Sequence, residues 1–181
     1  MNTPILTTGR LRLSPFTEDD FPLLQDLHSD PEVNRYLSPG PAIMDPDEVR
    51  RRLANYVGDH RLTGISKWKL ETVGGTFIGR AGFSLERDPE GHELGYSLKR
   101  SAWGQGYASE IAKALVAWFF DKTPHDHMFA YAIAEHEASQ RVMRKAGLRF
   151  WLEMRKHGLP CRFYRITRQQ YLQSPDQPAV G

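Results

Sequence analysis

The chain has 181 residues, with 24 Lys and Arg against 22 Asp and Glu and a formal net charge of +2 at pH 7. This length suits one compact domain with a substantial core, and the small net charge gives no reason to expect direct nucleic-acid binding. The single cysteine, Cys161, excludes an intrachain disulfide and a cysteine-rich zinc site, and it fits a cytoplasmic protein. No apolar run is long enough for a transmembrane helix, and residues 1–10 lack the pattern of a signal peptide, so no membrane association is expected.

The first third of the chain is predicted to hold one strand and several helices. Leu11 and Leu13 indicate a short first strand. Thr17 precedes three acidic residues, a pattern that favours a helix start because a hydroxyl and negative charges suit the exposed N–H groups there. Asp45 and Pro46 predict the start of another helix, which we expect to run to about residue 60.

The rest of the chain changes from period two to helical periodicity and back. The predicted strands are 66–71, 76–85, 92–98, 129–134, 150–156 and 161–167, and the predicted helices are 108–122 and 138–146. This order predicts an α/β (α+β) fold with a mixed sheet and helices on both faces. We expect one domain over residues 1–171 and a disordered tail over residues 172–181.

A glycine-bearing turn lies between the strand at 92–98 and the long helix that follows. Gly104 and Gly106 let backbone N–H groups approach a ligand, and the helix start adds aligned donors and partial positive charge. Lys99 and Arg100 lie just before the turn and add charge nearby. The segment therefore predicts a phosphate site, with an ordinary tight turn as the alternative. Its sequence does not match a nucleoside-triphosphate loop. It also departs from a dinucleotide loop, which has Gly or Ala at the third small position, where this chain has Ser109.

Five stretches of the chain form a recognisable pattern: residues 8–16 with 18–20, 30–33, 92–98, 103–110 and 138–148. Together they resemble the GNAT superfamily of N-acetyltransferases, in the RimJ/RimL-like branch of ribosomal-protein N-acetyltransferases. Their order and spacing extend the resemblance over residues 8–171. The resemblance implies an acetyl-CoA-dependent transferase with a mixed, mostly antiparallel sheet of about 6–7 strands. It also implies a V-shaped splay between the central strands that receives the pantetheine arm of the coenzyme.

The resemblance also assigns residues to the coenzyme. The main chain of Ser97, Leu98 and Lys99 would pair with the pantetheine amides. The pyrophosphate would be held by the main chain of Trp103, Gly104, Gln105, Gly106, Tyr107, Ala108 and Ser109. Two positions depart from the superfamily pattern: His136 stands in place of an asparagine that contacts the coenzyme, and Met143 in place of a tyrosine acid. The imidazole of His136 can substitute for the amide, whereas methionine cannot donate a proton.

Acetyl transfer to an amine requires a neutral amine and a protonated leaving thiol. Glu93 on the predicted central strand is the candidate general base, directly or through water, with a surface carboxylate as the alternative. Ser139 is the candidate proton donor to the thiol or contact to the thioester, with a helix cap or core hydroxyl as the alternative. Tyr36, Trp68 and Phe77 are candidate walls of the acceptor pocket, with core packing as the alternative.

The remaining polar clusters favour ordinary surface roles. The histidines of 125–127 are spaced as in a solvated turn, so no metal is expected. The arginines of 50–52 indicate a solvated helix face, with an acidic partner or the adenosine phosphate as alternatives. The acceptor is either a protein N-terminus or a small amine, and succinyl-CoA is an alternative donor. A non-catalytic acyl-CoA-binding module is the alternative function, and a homodimer is one alternative for the oligomeric state.

Overall fold

The computed structural model describes residues 3–37 and 40–175, which form a mixed α/β structure with an eight-stranded, mostly antiparallel sheet. The strand order is β1-β2-β3-β4-β5-β6-β8-β7. The strands are β1 (Leu6–Thr7), β2 (Leu11–Ser14), β3 (Lys67–Thr72), β4 (Phe77–Arg87), β5 (Glu90–Leu98), β6 (His127–Ile133), β7 (Arg149–Lys156) and β8 (Leu159–Thr167). The helices are α1 (Phe21–His28), α2 (Pro31–Asn34), α3 (Pro46–Thr63), α4 (Tyr107–Lys122), α5 (Glu137–Lys145) and α6 (Arg168–Leu172).

The predicted fold class is confirmed, although the strand count is higher than the expected 6–7. The additional strand is β1, in which Leu6 pairs with Leu13 of β2. A strand of two residues is too short for alternation to show in the sequence. β5 and β6 are parallel neighbours that pair at Glu93 and Phe129. The splay expected between the central strands stays a prediction.

The chain divides into two compact units, each with its own core. The first unit comprises the residues up to Ser84 together with Gly95–Ile111, and the second comprises Leu85–Leu94 and the residues from Ala112 onward. The predicted domain boundary at residue 171 stays a prediction, since α6 ends at Leu172 and residues 176–181 lie outside the described part of the chain.

In the first unit, the core lies between α1, α3 and the adjoining strands. Its buried members are Phe16, Leu24, Leu27, Met44, Val49, Leu53, Tyr56, Val57 and Phe77. Capping hydrogen bonds fix where the helices of this unit begin. Asp45 caps α3 by accepting a hydrogen bond from the N–H of Asp47 at 2.8 Å, and the N–H of Thr17 donates to Asp20 at 2.8 Å in a reciprocal cap.

In the second unit, one aromatic cluster packs on β6 and β8. Phe129, Phe163 and Cys161 are buried there, and the Phe129 ring lies 6.0 Å from Phe163 and 6.2 Å from Trp151. Aromatic pairs at such distances add to the hydrophobic gain from their burial. Among the described residues of both units, no helix has the length and apolar character needed to cross a membrane.

Candidate functional site

The turn between β5 and α4 has the backbone conformation that its glycines predict. A short 3-10 turn over Arg100–Ala102 follows β5, and Trp103 is extended. Gly104 and Gly106 then adopt φ angles of +72° and +78°, in the left-handed region that side chains with a Cβ rarely occupy. The chain enters α4 at Tyr107 with the main chain of both glycines exposed.

The N–H groups of this turn have no acceptor in the described part of the protein. The first hydrogen bond of α4 runs from the N–H of Glu110 to the carbonyl of Gly106 at 3.0 Å, and within residues 3–37 and 40–175 no acceptor takes the N–H groups of residues 104–109. The first N–H groups of a helix lack partners within it, and the helix dipole adds partial positive charge at the same place. The turn therefore presents a set of converging donors suited to a phosphate group. We refer to residues 104–109 as the phosphate loop.

A charged clamp fixes the phosphate loop to the start of β2. The guanidinium of Arg10 donates from Nε to Glu110 Oε2 at 2.6 Å and from Nη1 to the carbonyl of Gln105 at 2.9 Å. The hydroxyl of Thr8 and the N–H of Arg10 both donate to Glu110 Oε1, at 2.6 Å and 3.1 Å. Burial alone would raise the pKa of Glu110, but these hydrogen bonds outweigh it and hold the pKa below its usual range.

Sequence analysis did not identify this clamp. Arg10 and Glu110 each lie inside a stretch that resembles the family. Their pairing spans 100 positions of the chain, and no local spacing rule connects them. The ring of Tyr107, 4.6 Å from the Arg10 guanidinium carbon, completes the contact by a cation–π interaction.

The end of β5 packs tightly against β4. A Cβ on Gly79 would lie 2.1 Å from the carbonyl oxygen of Ser97, so only glycine permits this approach. The N–H of Lys99 donates to the carbonyl of Ile78 at 2.8 Å. Since main-chain groups alternate in direction along a strand, the main chain of Leu98 is directed away from β4. Its carbonyl accepts a hydrogen bond from the indole N–H of Trp103 at 2.9 Å.

The two basic residues after β5 are paired with acidic residues of the first unit. Lys99 forms an ion pair with Asp26, and Arg100 Nε donates to Asp30 Oδ2 at 2.8 Å. Their charges therefore already have protein partners, and the phosphate loop offers mainly its N–H groups to a ligand.

The three residues predicted to wall the acceptor pocket lie in different environments. Trp68 is 0% exposed and packs edge-on to Phe83, with its indole N–H donating to His60 at 3.3 Å. Phe77 is buried in the core of the first unit beneath Lys99, whose Nζ lies 5.6 Å from the ring. Tyr36 is exposed. Trp68 and Phe77 thus contribute to packing, and the contact of the three with an acceptor stays a prediction.

The candidate catalytic residues Glu93 and Ser139 belong to the second unit, together with His136. Glu93 is half-buried on β5 opposite Phe129. Ser139 is buried in the first turn of α5, and His136 precedes that helix as its N-cap residue without a side-chain cap. Burial lowers the pKa of His136, which favours a neutral imidazole. The remaining predicted coenzyme residues, at the end of β5 and in the phosphate loop, lie together in the first unit.

The histidines around residue 125 pack against one another and against an aromatic ring. The rings of His92 and His125 are 4.5 Å apart, and His125 stacks on Phe119 at 5.6 Å. Burial, followed by the charges of His125 and His127, lowers the pKa of His92 to about 4. Among the residues that the structure describes, no group of three or more His, Cys, Asp or Glu side chains is arranged to hold a metal ion.

Comparison with known proteins agrees with this geometry. Residues 10–149 match the model of the acetyltransferase (GNAT) domain family. The chain is 29% identical to YkkB of Bacillus subtilis (strain 168), covering 88% of this chain and 93% of YkkB. It is 30% identical to YoaA of the same organism, described as an uncharacterised N-acetyltransferase, over 80% of this chain and 82% of YoaA. The fold is similar to that of RimL, a ribosomal L7/L12 alpha-N-protein acetyltransferase solved with coenzyme A, with a TM-score of 0.77, 18% identity and coverage of 91% and 98%.

Proposed function

The chain belongs to the acetyltransferase (GNAT) family and is an N-acetyltransferase, and we propose that it transfers the acetyl group directly from acetyl-CoA to a primary amine. The acceptor is either the α-amino group of a protein or a small-molecule amine. The structural neighbour RimL is described as an alpha-N-protein acetyltransferase, which supports the first alternative. Shared fold does not determine the acceptor, so both remain in the proposal.

One observation carries this proposal: the N–H groups of residues 104–109, which are exposed at 104–106 and half-buried at 107–109, have no acceptor within the described protein. A pyrophosphate group supplies several negatively charged oxygens, which accept charge-assisted hydrogen bonds from such donors. The clamp of Arg10 on Glu110 and Gln105 holds these donors in place before the coenzyme binds. Because the loop is preorganised, less conformational entropy is lost on binding.

The main chain at the end of β5 is the proposed contact for the pantetheine arm. Of the three predicted residues, Ser97 and Lys99 face β4, whereas Leu98 is directed to the other side. Leu98 therefore presents its N–H, and the second lone pair of its carbonyl, to the pantetheine amides. The Trp103 indole, bonded to the same carbonyl, links this strand end to the phosphate loop.

The proposed chemistry needs a neutral amine and a protonated thiol. An α-amino group has a pKa of about 8, so a useful neutral fraction exists at pH 7. A lysine amine, at about 10.4, would cost roughly 4–5 kcal/mol to deprotonate. We propose Glu93 as the general base, directly or through water, and the hydroxyl of Ser139 as the proton donor to the departing thiolate. His136 is proposed as a polar contact to the coenzyme.

The test is a thiol-release assay on the full chain with acetyl-CoA and a panel of amines that includes peptides with free N-termini. We expect amine-dependent release of coenzyme A and an acetylated product by mass spectrometry. Tight acetyl-CoA binding without turnover on any amine would contradict the proposal and would indicate a non-catalytic acyl-CoA-binding module.

The role of Glu93 is tested by Glu93→Gln, which should lower kcat/KM by about 100-fold or more while the KM for acetyl-CoA changes little. The matched control is Glu90→Gln, an exposed position on the same strand, which should retain wild-type activity. Equal activity of Glu93→Gln and the control would exclude Glu93 as the base.

A further inference from the structure

Arg80 is a buried cation without an anionic partner in the described protein. Its side chain lies on β4 and the residue is 5% exposed. The Nε atom is sealed from solvent and has no hydrogen-bond acceptor. Within the described ranges, the recorded contact of its guanidinium is a cation–π interaction with Tyr56, at 5.8 Å from the ring centroid. A buried charge without a partner destabilises a protein, so such residues usually serve a ligand or an ion pair.

Two buried or half-buried acidic residues of the first unit, Glu48 and Asp20, are paired with other basic residues. Glu48 accepts from Arg51 and Arg52, each at 2.7 Å, and Asp20 accepts from Lys69 at 2.9 Å. Arg80 therefore adds positive charge that these carboxylates do not offset, which favours a negatively charged ligand.

The ring nitrogen Nε2 of His28 is a second buried polar atom without a hydrogen-bond partner in the described protein. The side-chain N–H groups of Asn34 donate to the carbonyls of His28 and Ala42, at 2.8 Å and 2.7 Å, so the Asn34 oxygen must act as an acceptor. That oxygen lies 2.8 Å from His28 Nδ1, which therefore carries the proton. The opposite ring nitrogen, Nε2, is sealed from solvent and has no hydrogen-bond partner.

The two groups lie close enough to influence one another. Burial is the main reason that the pKa of His28 falls to about 4, and the charge of Arg80 is the next. Arg80 also directly follows Gly79, whose backbone packs against Ser97 and Leu98. Arg80 therefore adjoins the strand end that we assign to the pantetheine arm.

We propose that Arg80 and His28 form a subsite for a carboxylate of the amine acceptor. This inference rests on the proposed acetyl transfer and narrows its acceptor to amines that carry a carboxylate, such as amino acids or acidic peptides. The carboxylate accepts hydrogen bonds from the Arg80 guanidinium and offsets its charge. The same negative charge favours protonation of His28, whose Nε2 then becomes a second donor to the ligand.

The test compares amines that differ only in the carboxylate: L-phenylalanine with 2-phenylethylamine, and γ-aminobutyrate with n-propylamine. Wild-type protein should favour the carboxylate-bearing member in at least one pair, and Arg80→Gln should lower kcat/KM for that member by about 100-fold. The KM for acetyl-CoA and the activity on the carboxylate-free amine should change less than about threefold. The control is Arg87→Gln, an exposed arginine on the same strand. Equal loss for both amines, or no preference in wild type, would overturn the proposal.

A stability measurement separates a binding role from a structural one. If Arg80 awaits a ligand, Arg80→Met removes an uncompensated buried charge and should raise the urea midpoint of the acceptor-free protein. If Arg80 is structural, the same substitution should lower that midpoint, and the proposal would fail. The urea midpoint can be measured even if the Arg80→Gln variant has no activity.

Failure of the proposed function can be told apart from failure of this subsite. If wild-type protein acetylates no amine, the proposed function fails. Binding of a carboxylate to the subsite can still be measured separately, by NMR of the Arg80 Nε–H resonance. N-acetylglycine should shift that resonance in a saturable way, and N-methylacetamide, which lacks the carboxylate, should not. Absence of a shift with N-acetylglycine, N-acetylphenylalanine and N-acetyl-γ-aminobutyrate would exclude the subsite irrespective of activity.

Discussion

Two regions of the first unit hold polar groups without protein partners, and they differ in their relation to water. The N–H groups of residues 104–109 belong to exposed or half-buried residues, which solvent can reach. Arg80 Nε and His28 Nε2 are sealed in the interior, where nothing in the described protein satisfies them. An exposed donor costs little free energy before a ligand binds, whereas a sealed charged group destabilises the folded state.

This difference explains why the two regions are encoded differently. The phosphate loop uses consecutive main-chain groups, and the sequence needs only two glycines and a helix start to expose them. The buried pair depends on side chains from α1 and β4 that are distant in sequence. A substitution in the loop should therefore affect ligand affinity most, and one in the buried pair should also change stability.

The largest effect is expected for Gly106→Val. The φ angle of +78° disfavours any side chain, and valine would disturb the donors of the loop. Losing about two charge-assisted hydrogen bonds should weaken acetyl-CoA binding about a thousandfold by calorimetry. The control is Gly158→Val, which has the same φ of +78° and open space around it. It should show similar strain and unchanged coenzyme affinity. Unchanged affinity of Gly106→Val would refute the assignment of the loop.

The next effect concerns the pH dependence of stability through His28. Its folded-state pKa of about 4 lies below the ordinary value of 6.5, chiefly because of burial and then of Arg80. The unfolded chain therefore binds more protons between these values, so stability present above pH 6.5 falls as the pH decreases toward 4. The share of His28 in this loss should reach roughly 3 kcal/mol in urea unfolding.

His28→Gln should reduce the pH dependence by this amount, because glutamine does not titrate, and the share of His92, whose pKa is also lowered to about 4, should remain. His157→Gln, at an exposed position, should keep the wild-type profile. If the free energy of unfolding depended on pH equally in His28→Gln and in wild type, burial of His28 would not be a cause of the loss of stability.

A smaller effect is expected for Arg10→Gln, which removes the bond to the Gln105 carbonyl and the ion pair with Glu110. The loop should become less ordered, raising the KM for acetyl-CoA about tenfold at nearly constant kcat. Arg12→Gln, on β2 nearby, is the control. A fall in kcat with an unchanged KM would contradict a role of Arg10 in positioning the loop.

The smallest effect is expected for Arg100→Gln. Its guanidinium already pairs with Asp30 and its side chain is 60% exposed, so coenzyme affinity should change less than about twofold. A tenfold loss would show that this charge serves the coenzyme directly, as its position before the loop suggests. The measurement is acetyl-CoA titration at two salt concentrations, because a direct charge contact would be sensitive to salt.

Much of the fold could be predicted because periodicity and capping are local properties. The spacing of apolar residues predicted α4 and the strands around it, and Asp45 with Pro46 predicted the start of α3. β1 was missed because a two-residue strand has no period to detect. Trp68 illustrates another limit: an aromatic residue in an alternating strand fits a core or a pocket wall equally well in sequence, and the structure places it at 0% exposure.

By itself, the sequence determined the order of elements, the position of the phosphate loop and the resemblance to a family, because each depends on neighbouring residues and their spacing. Only the tertiary structure decided that Arg10 clamps Glu110 and that Arg80 Nε and His28 Nε2 are buried without a hydrogen-bond partner in the described part of the chain. Such pairs are formed by packing between distant segments, and whether a buried charge has a partner depends on every element that surrounds it.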